Sequence, residues 1–314
     1  LITGAHGGLE WANDNKTLYY TILDDNHRPY AVMRHTLGTS QDNDQEIYCE
    51  ADAGFFVSID KTKSGKFILI QAHDHQTSEV YLIDADALDA NPVVVEPRQI
   101  EHEYEVAHHE DQLIILTNMD GAEDFKIVTM PIVKPGRENW VEIVAHQPGC
   151  LMLGLQIFKD FWARIERVDG LPKIVITEFA SRLSHTIDFD EDAYSLGLLG
   201  GYEYRTALLR FSYSSMATPE RVFDYDMAER TRELRKEQEV PSGHNPGDYI
   251  AKRIYATASD GATVPISLIY KKDTALDGSA PLLLYGYGAY GHTIPASFST
   301  ARLSLVDRGF VYAI

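Results

Sequence analysis

The sequence predicts a mainly β chain: propeller blades, five of them visible, followed by the start of an α/β domain. Three observations carry this reading. Short apolar strands recur in pairs at a near-constant period, no helical period lies between them, and the pattern changes after Asp226. The first strand of each pair holds Leu18-Tyr19-Tyr20, Phe67-Ile68-Leu69, Leu113-Ile114-Ile115, Phe161-Trp162-Ala163 and Leu208-Leu209-Arg210, so successive starts lie 49, 46, 48 and 47 residues apart. The second strands hold Ala31-Val32-Met33, Val80-Tyr81-Leu82, Lys126-Ile127-Val128, Ile174-Val175-Ile176 and Val222-Phe223-Asp224, each starting 13 or 14 residues after its partner. Repeats of 40 to 50 residues built from short strands are what propeller blades look like in sequence. Sandwich modules run nearer 100 residues per unit. Turn-forming stretches join the strands, among them Asp24-Asp25-Asn26-His27, His73-Asp74-His75-Gln76 and Asn118-Met119-Asp120-Gly121. WD40 signature residues and the Ser-x-Asp-x-Gly-x-x-x-Trp box of sialidases are missing.

The grammar changes after Asp226, where Met227 to Glu239 is charged and offers few core positions, and Pro241-Ser242-Gly243-His244-Asn245-Pro246-Gly247 breaks any regular element. Two domains are therefore expected: a partial propeller over 1–240 and the opening of an α/β domain over 241–314. In the second, Tyr249 to Ala256 and Val264 to Tyr270 flank the turn Ser259-Asp260-Gly261-Ala262. Pro281-Leu282-Leu283-Leu284-Tyr285 reads as a strand of a sheet covered on both faces. A short helix is expected within Thr300 to Arg308, ended by Gly309 in the left-handed conformation. Phe310 to Ile314 reads as a closing strand. The first residue is not Met and the apolar run at the end has no turn after it, so the sequence reads as a piece of a longer protein.

Composition narrows the partners. The 314 residues include 28 Lys and Arg against 47 Asp and Glu, a formal net charge of −19. Such a surface repels phosphate backbones and anionic lipid and favours cationic ligands, so neither nucleic acid nor a membrane is an expected partner. Only Cys49 and Cys150 occur, too few for a disulfide framework, which points to a reducing compartment. No apolar run approaches the roughly 20 residues of a membrane span.

No Gly-x-Ser-x-Gly, P-loop, dinucleotide fingerprint or His-Glu-x-x-His occurs. His73-Asp74-His75 and His108-His109-Glu110-Asp111 contain metal-ligand residue types, but their places in a turn and before a strand read as solvated turns, and no metal or cofactor is expected. The stretch with chemical meaning is Tyr285-Gly286-Tyr287-Gly288-Ala289-Tyr290-Gly291, a loop leaving a strand at its carboxyl end, where open α/β sheets bind ligands. Its glycines permit close backbone approach. Its tyrosines are either oxyanion-type hydroxyl donors or the packing of an aromatic loop, and spacing alone leaves both open.

With that loop, Asp260-Gly261 ahead of Val264-Pro265-Ile266-Ser267-Leu268-Ile269-Tyr270, then Arg302-Leu303-Ser304-Leu305 and Asp307-Arg308-Gly309-Phe310-Val311-Tyr312-Ala313-Ile314, the chain resembles the prolyl oligopeptidase family of serine peptidases, its oligopeptidase B branch most closely. Tyr213-Ser214-Ser215-Met216 with Thr218-Pro219 fits the same pattern. The resemblance implies an α/β-hydrolase domain capped by a seven-bladed propeller, cytoplasmic, free of cofactors, cleaving short basic peptides after Lys or Arg with a Ser-Asp-His triad. It implies that two blades and a hydrolase segment precede Leu1, and that the triad and the acidic specificity pocket follow Ile314. This chain alone is then expected to be inactive until the remainder of the hydrolase domain joins it. Tyr287 matches the family's oxyanion-hole tyrosine and Tyr290 the aromatic lining the primary specificity pocket. Pro295-Ala296-Ser297 departs from the pattern, since related enzymes often carry two acids there for a second basic residue. The competing readings are a non-catalytic propeller that binds partner proteins, and a sibling peptidase with post-proline specificity.

Overall fold

A computed structural model of the chain describes residues 2–314 apart from Leu88, Ala90 and Tyr202. Six four-stranded sheets are formed by the described residues. The first holds β1 (Ala5–Trp11), β2 (Thr17–Leu23), β3 (Pro29–Thr36) and β4 (Gln45–Cys49), and the second β5 (Phe56–Lys61), β6 (Phe67–His73), β7 (Ser78–Asp84) and β8 (Val93–Val94). The third holds β9 (Tyr104–His109), β10 (Gln112–Thr117), β11 (Lys126–Pro131) and β12 (Val141–Val144). The fourth holds β13 (Cys150–Ile157), β14 (Phe161–Val168), β15 (Leu171–Glu178) and β16 (Ser184–Thr186), and the fifth β17 (Tyr194–Leu198), β18 (Leu208–Ser215), β19 (Arg221–Asp226) and β20 (Thr231–Glu237). In each of these five, strands neighbour one another in chain order, so short turns suffice to connect them.

The paired strands of the repeat are the two central strands of each sheet, β2 and β3 through β18 and β19. The outer strands escaped the sequence pattern, and of these β4, β8, β12, β16 and β20 are short or exposed. β20, inside the charged segment that ends the apolar pattern, is exposed at every position and still pairs with β19, through Phe223 opposite Leu234 and Asp226 opposite Thr231. The change of composition after Asp226 therefore marks an outer strand.

Turns are fixed by aspartates. Asp14 accepts from the Lys16 and Thr17 amides at 2.9 Å each, Asp74 from Gln76 and Thr77 at 2.8 and 2.7 Å, and Asp226 from Ala228 and Glu229 at 3.0 and 2.9 Å. Each carboxylate replaces the backbone partner that a tight turn denies its amides. Those amides hold the Asp14 carboxyl below the usual carboxylate range.

The chain divides into two compact units. One comprises Leu1–Pro148, Ile157–Lys159 and Tyr202–Arg205, the other Gly149–Gln156, Asp160–Gly201 and Thr206–Ile314. In the first, the strand alternation of the second sheet decides the packing. Ile68 and Ile70 join Tyr19, Val32 and Val57 in one core, whereas Phe67 and Leu69 join Val106, Leu113 and Ile115 in another. Both faces of β6 are thus buried, and each sheet completes the core of its neighbour. A polar joint accompanies this packing. Arg98 bonds Glu50 and, at 2.9 Å, Glu79, while Tyr48 donates to Glu50 at 2.8 Å and Tyr81 to Glu79 at 3.0 Å. The guanidinium also lies 4.0 Å over the Phe55 ring. Three of the four His residues singled out in sequence have hydrogen-bond partners: His73 bonds the Asp74 carbonyl at 3.2 Å, His108 bonds Ser64 at 2.7 Å and the Glu110 carbonyl at 2.8 Å, and His109 the Lys159 carbonyl at 3.0 Å.

In the second unit the sixth sheet has the order β21-β22-β24-β23, built from β21 (Tyr249–Thr257), β22 (Thr263–Lys271), β23 (Leu282–Leu284) and β24 (Val311–Ala313). Helix α1 (Thr300–Val306) lies between β23 and β24 in sequence, and those two strands pair in parallel, Leu283 opposite Tyr312. Ser299 caps the helix by accepting from the Arg302 amide, and Gly309 follows it with φ +90°, as expected. Pro281 to Tyr285 differs from expectation. β23 is an edge strand, with Leu282 and Leu284 61% and 66% exposed rather than covered. Its apolar character reports the burial its residue types are suited to, which the described residues do not supply. Leu303 and Val306 of α1 pack with Ile269, Ala193, Met216 and Ala217. Ser215, wholly buried, accepts from the Ala217 and Thr218 amides, and Glu191 accepts from Ser215 and Thr218. Both cysteines are free thiols, and no helix among the described residues is long and apolar enough to cross a membrane.

Two consequences are measurable. Ile70→Ala, at a wholly buried position, should cost about 3 kcal/mol in chemical denaturation, whereas Leu234→Ala on exposed β20 should cost under about 1 kcal/mol. The His102 imidazole, buried beside Thr117 and repelled by the Arg137 charge, is pushed down to about 4. The unfolded chain binds that proton near pH 6.5 and the folded chain does not, so stability should fall as pH drops from about 6.5 to 4, by at most about 3 kcal/mol. A denaturation midpoint that falls as steeply in His102→Gln as in the parent over this window would assign the acid sensitivity to other groups.

Candidate functional site

The loop Tyr285 to Gly291 begins where β23 ends, and the Tyr285 amide donates to the Ala313 carbonyl at 2.9 Å, tying the loop's first residue to β24. The loop then turns through positive φ at Gly288 (+73°), Tyr290 (+53°) and Gly291 (+65°). A tyrosine in this left-handed region costs of order 1 kcal/mol that glycine would not. The loop is closed by the His292 amide donating to the Ala289 carbonyl at 3.1 Å.

Tyr287 is 54% exposed, its ring is edge-on to His292 at 6.1 Å, and its hydroxyl makes no hydrogen bond among the described residues. With Tyr285 it lines a cavity of about 250 Å³ whose other walls include Tyr194, Arg253 and Thr293. Tyr290 does not line this cavity. It projects from the turn, 87% exposed. The two tyrosines singled out in sequence are therefore carried by one loop but separated by its turn. Pro295 and Ala296 also line the cavity, while the Ser297 carbonyl accepts from Arg302 at 2.6 Å, so the segment that departs from the acidic pattern forms an uncharged wall. The rest of the lining was not legible in the sequence, because Arg167, Gly170 and Tyr194 come from the fourth and fifth sheets, about 90 to 120 residues before the loop. The chemistry open to this arrangement is hydrogen-bond donation from an unengaged phenol and charge pairing by guanidinium groups. No group of three or more His, Cys, Asp or Glu arranged to hold a metal ion occurs among the described residues.

Comparison with known proteins gives the lineage. The family described as prolyl oligopeptidase, N-terminal beta-propeller domain, matches residues 2–238. The chain belongs to that family. The matched range ends one residue beyond β20, so the family's propeller coincides with the first five sheets. Among curated relatives, dipeptidyl aminopeptidase BI of Pseudoxanthomonas mexicana is 37% identical over 318 residues, covering all of this chain and 43% of the relative, and Protease 2 of Moraxella lacunata is 29% identical over 98% of this chain and 44% of its own length. Among solved structures, oligopeptidase B from Trypanosoma brucei with covalently bound antipain superposes with a TM-score of 0.93 at 30% identity, covering 100% of this chain and 46% of that one. The chain thus spans less than half the length of these relatives. Their names are those of peptidases, and the sequence-level resemblance is upheld at the level of the family.

Proposed function

We propose that this chain is the propeller and opening hydrolase segment of a serine oligopeptidase that cleaves short peptides after Lys or Arg. The observation that carries the reading is the Tyr285–Gly291 loop, which leaves β23 at its carboxyl end beside a parallel neighbour and presents Tyr287 with an unengaged hydroxyl. The β23–α1–β24 unit, with its parallel pair, suits the start of an α/β-hydrolase sheet, and the bare edge of β23 is where such a sheet would continue. A non-catalytic propeller has no use for either. In the proposed reaction a serine, activated by histidine and aspartate from the remainder of the hydrolase domain, attacks the scissile carbonyl. Tyr287 donates its hydroxyl to the oxygen as negative charge develops there, and Tyr290 forms one wall of the pocket for the basic side chain. The blades admit peptides and exclude folded proteins by size. A net charge of −19 attracts cationic peptides over the roughly 8 Å screening length of physiological salt.

A second reading is favoured by one observation, the name of the 37% identical relative: release of dipeptides from a free amino terminus. The two are separated by a substrate pair. Arginyl peptides cleaved equally well with an acetylated and a free amino terminus support endopeptidase action, and loss of cleavage on acetylation supports dipeptide release.

The oxyanion role is tested by Tyr287→Phe in the full-length enzyme. The ring stays to hold the loop, and one donor to the transition state is lost, so kcat should fall on the order of 10² to 10³ with KM changed little. A variant that keeps kcat within about threefold while KM rises would make Tyr287 a pocket residue.

A further inference from the structure

The side chains that line the cavity beside Tyr287 carry a charge opposite to that of the chain. Of its lining residues none is Asp or Glu, and two are arginines, although the chain has a net charge of −19. Both arginines converge on one hairpin. Arg167 stands near the end of β14, opposite Pro172, two residues before the turn at Asp169 and Gly170. Arg253, on β21, donates from Nη2 to the Asp169 carbonyl. Gly170 makes room for it: with φ +74°, a Cβ there would lie 2.9 Å from Nη2.

Neither guanidinium is neutralised. The Arg167 side chain is half-buried and forms no hydrogen bond or ion pair among the described residues, and Arg253 keeps a buried Nε without a partner. Burial alone pulls the Arg167 pKa below its ordinary value, with no neighbouring charge opposing it. An arginine does not escape this cost by losing its proton, so a desolvated guanidinium calls for an anion. Its planar fork matches a carboxylate in particular.

We propose that Arg167 and Arg253 form a subsite for a peptide carboxylate, first of all the free α-carboxylate at the end of a short substrate. The proposal rests on the peptidase reading for the identity of the ligand. A cavity of about 250 Å³ is smaller than the roughly 300–1,000 Å³ of drug-sized pockets, room for the last one or two residues of a peptide. It supplies what global acidity does not: an acidic chain draws in the basic residue, and a local cationic cavity takes the opposite end, giving a short peptide a direction and favouring short chains over long ones.

The test is a calorimetric or NMR titration of the purified chain with Ac-Ala-Ala carrying either a free carboxylate or a carboxamide, and with Ac-Glu-Ala-amide as the side-chain source of the same group. We expect the acid to bind at least about tenfold more tightly than the amide, and Arg167→Gln to abolish the difference. Because Arg167 has no partner to lose, its replacement should leave the circular dichroism spectrum and melting temperature unchanged. Arg253→Lys, which keeps the charge and loses the fork, should weaken the preference without removing it. Preference for the Glu-containing amide over the Ala-Ala amide would extend the subsite to side-chain carboxylates. Equal binding of acid and amide, or a preference that survives Arg167→Gln, overturns the proposal. Hydrolysis by the full-length enzyme is read separately. Carboxylate preference without hydrolysis leaves the subsite standing and defeats the peptidase reading, and hydrolysis blind to the carboxylate does the reverse.

Discussion

The structure depends on a packing constraint that no single sheet satisfies. β6 buries alternate side chains on opposite faces, Ile68 and Ile70 in one core and Phe67 and Leu69 in the next. A four-stranded sheet with two apolar faces is insoluble alone and stable only between neighbours. The repeat of 46 to 49 residues follows from this, since each unit must return the chain to an equivalent place with an equivalent pair of faces. Truncating one side chain at such a position opens a void in a core that two sheets share.

Polar joints are placed where apolar packing gives way. Glu50 is only 6% exposed, and its charge is tolerable because Arg98, the Tyr48 hydroxyl and the Asp52 amide all donate to it. Burial raises its pKa, but these donors outweigh burial and leave it lowered. Removing Arg98 would take from Glu50 and Glu79 the counter-charge they share, so the group acts as one unit. The Glu191 cluster with Ser215 and Thr218 does similar work beside the fifth sheet with no ion pair to Glu191 among the described residues, using hydroxyl donors instead.

The legible part of the fold was the central strand pair of each sheet, because burial on both faces imposes apolar runs such as Leu113-Ile114-Ile115. The outer strand β20 was illegible for the converse reason: it consists of Thr231-Arg232-Glu233-Leu234-Arg235-Lys236-Glu237, held by ladder hydrogen bonds that any residue but proline makes. At the candidate site, the glycine-tyrosine loop announced itself through its spacing, and the capped helix and Gly309 were read correctly. The cavity walls did not announce themselves. Arg167 and Arg253 are ordinary strand residues in sequence, and only the sheet arrangement brings both to the hairpin at Asp169 and Gly170.

The character of β20 has a consequence for how this chain behaves among its own copies. An outer strand is a ready template for another strand, and sheets so exposed tend to zip together. Six of seven residues on β20 are polar, and opposing charges already pair across it, Arg221 with Glu237 and Arg235 with Asp224. An incoming strand would have to strip water from these charges before gaining a single ladder bond. The segment that looks least like structure in the sequence is thus a guard rail for the edge of the fifth sheet, discouraging a second copy from pairing there.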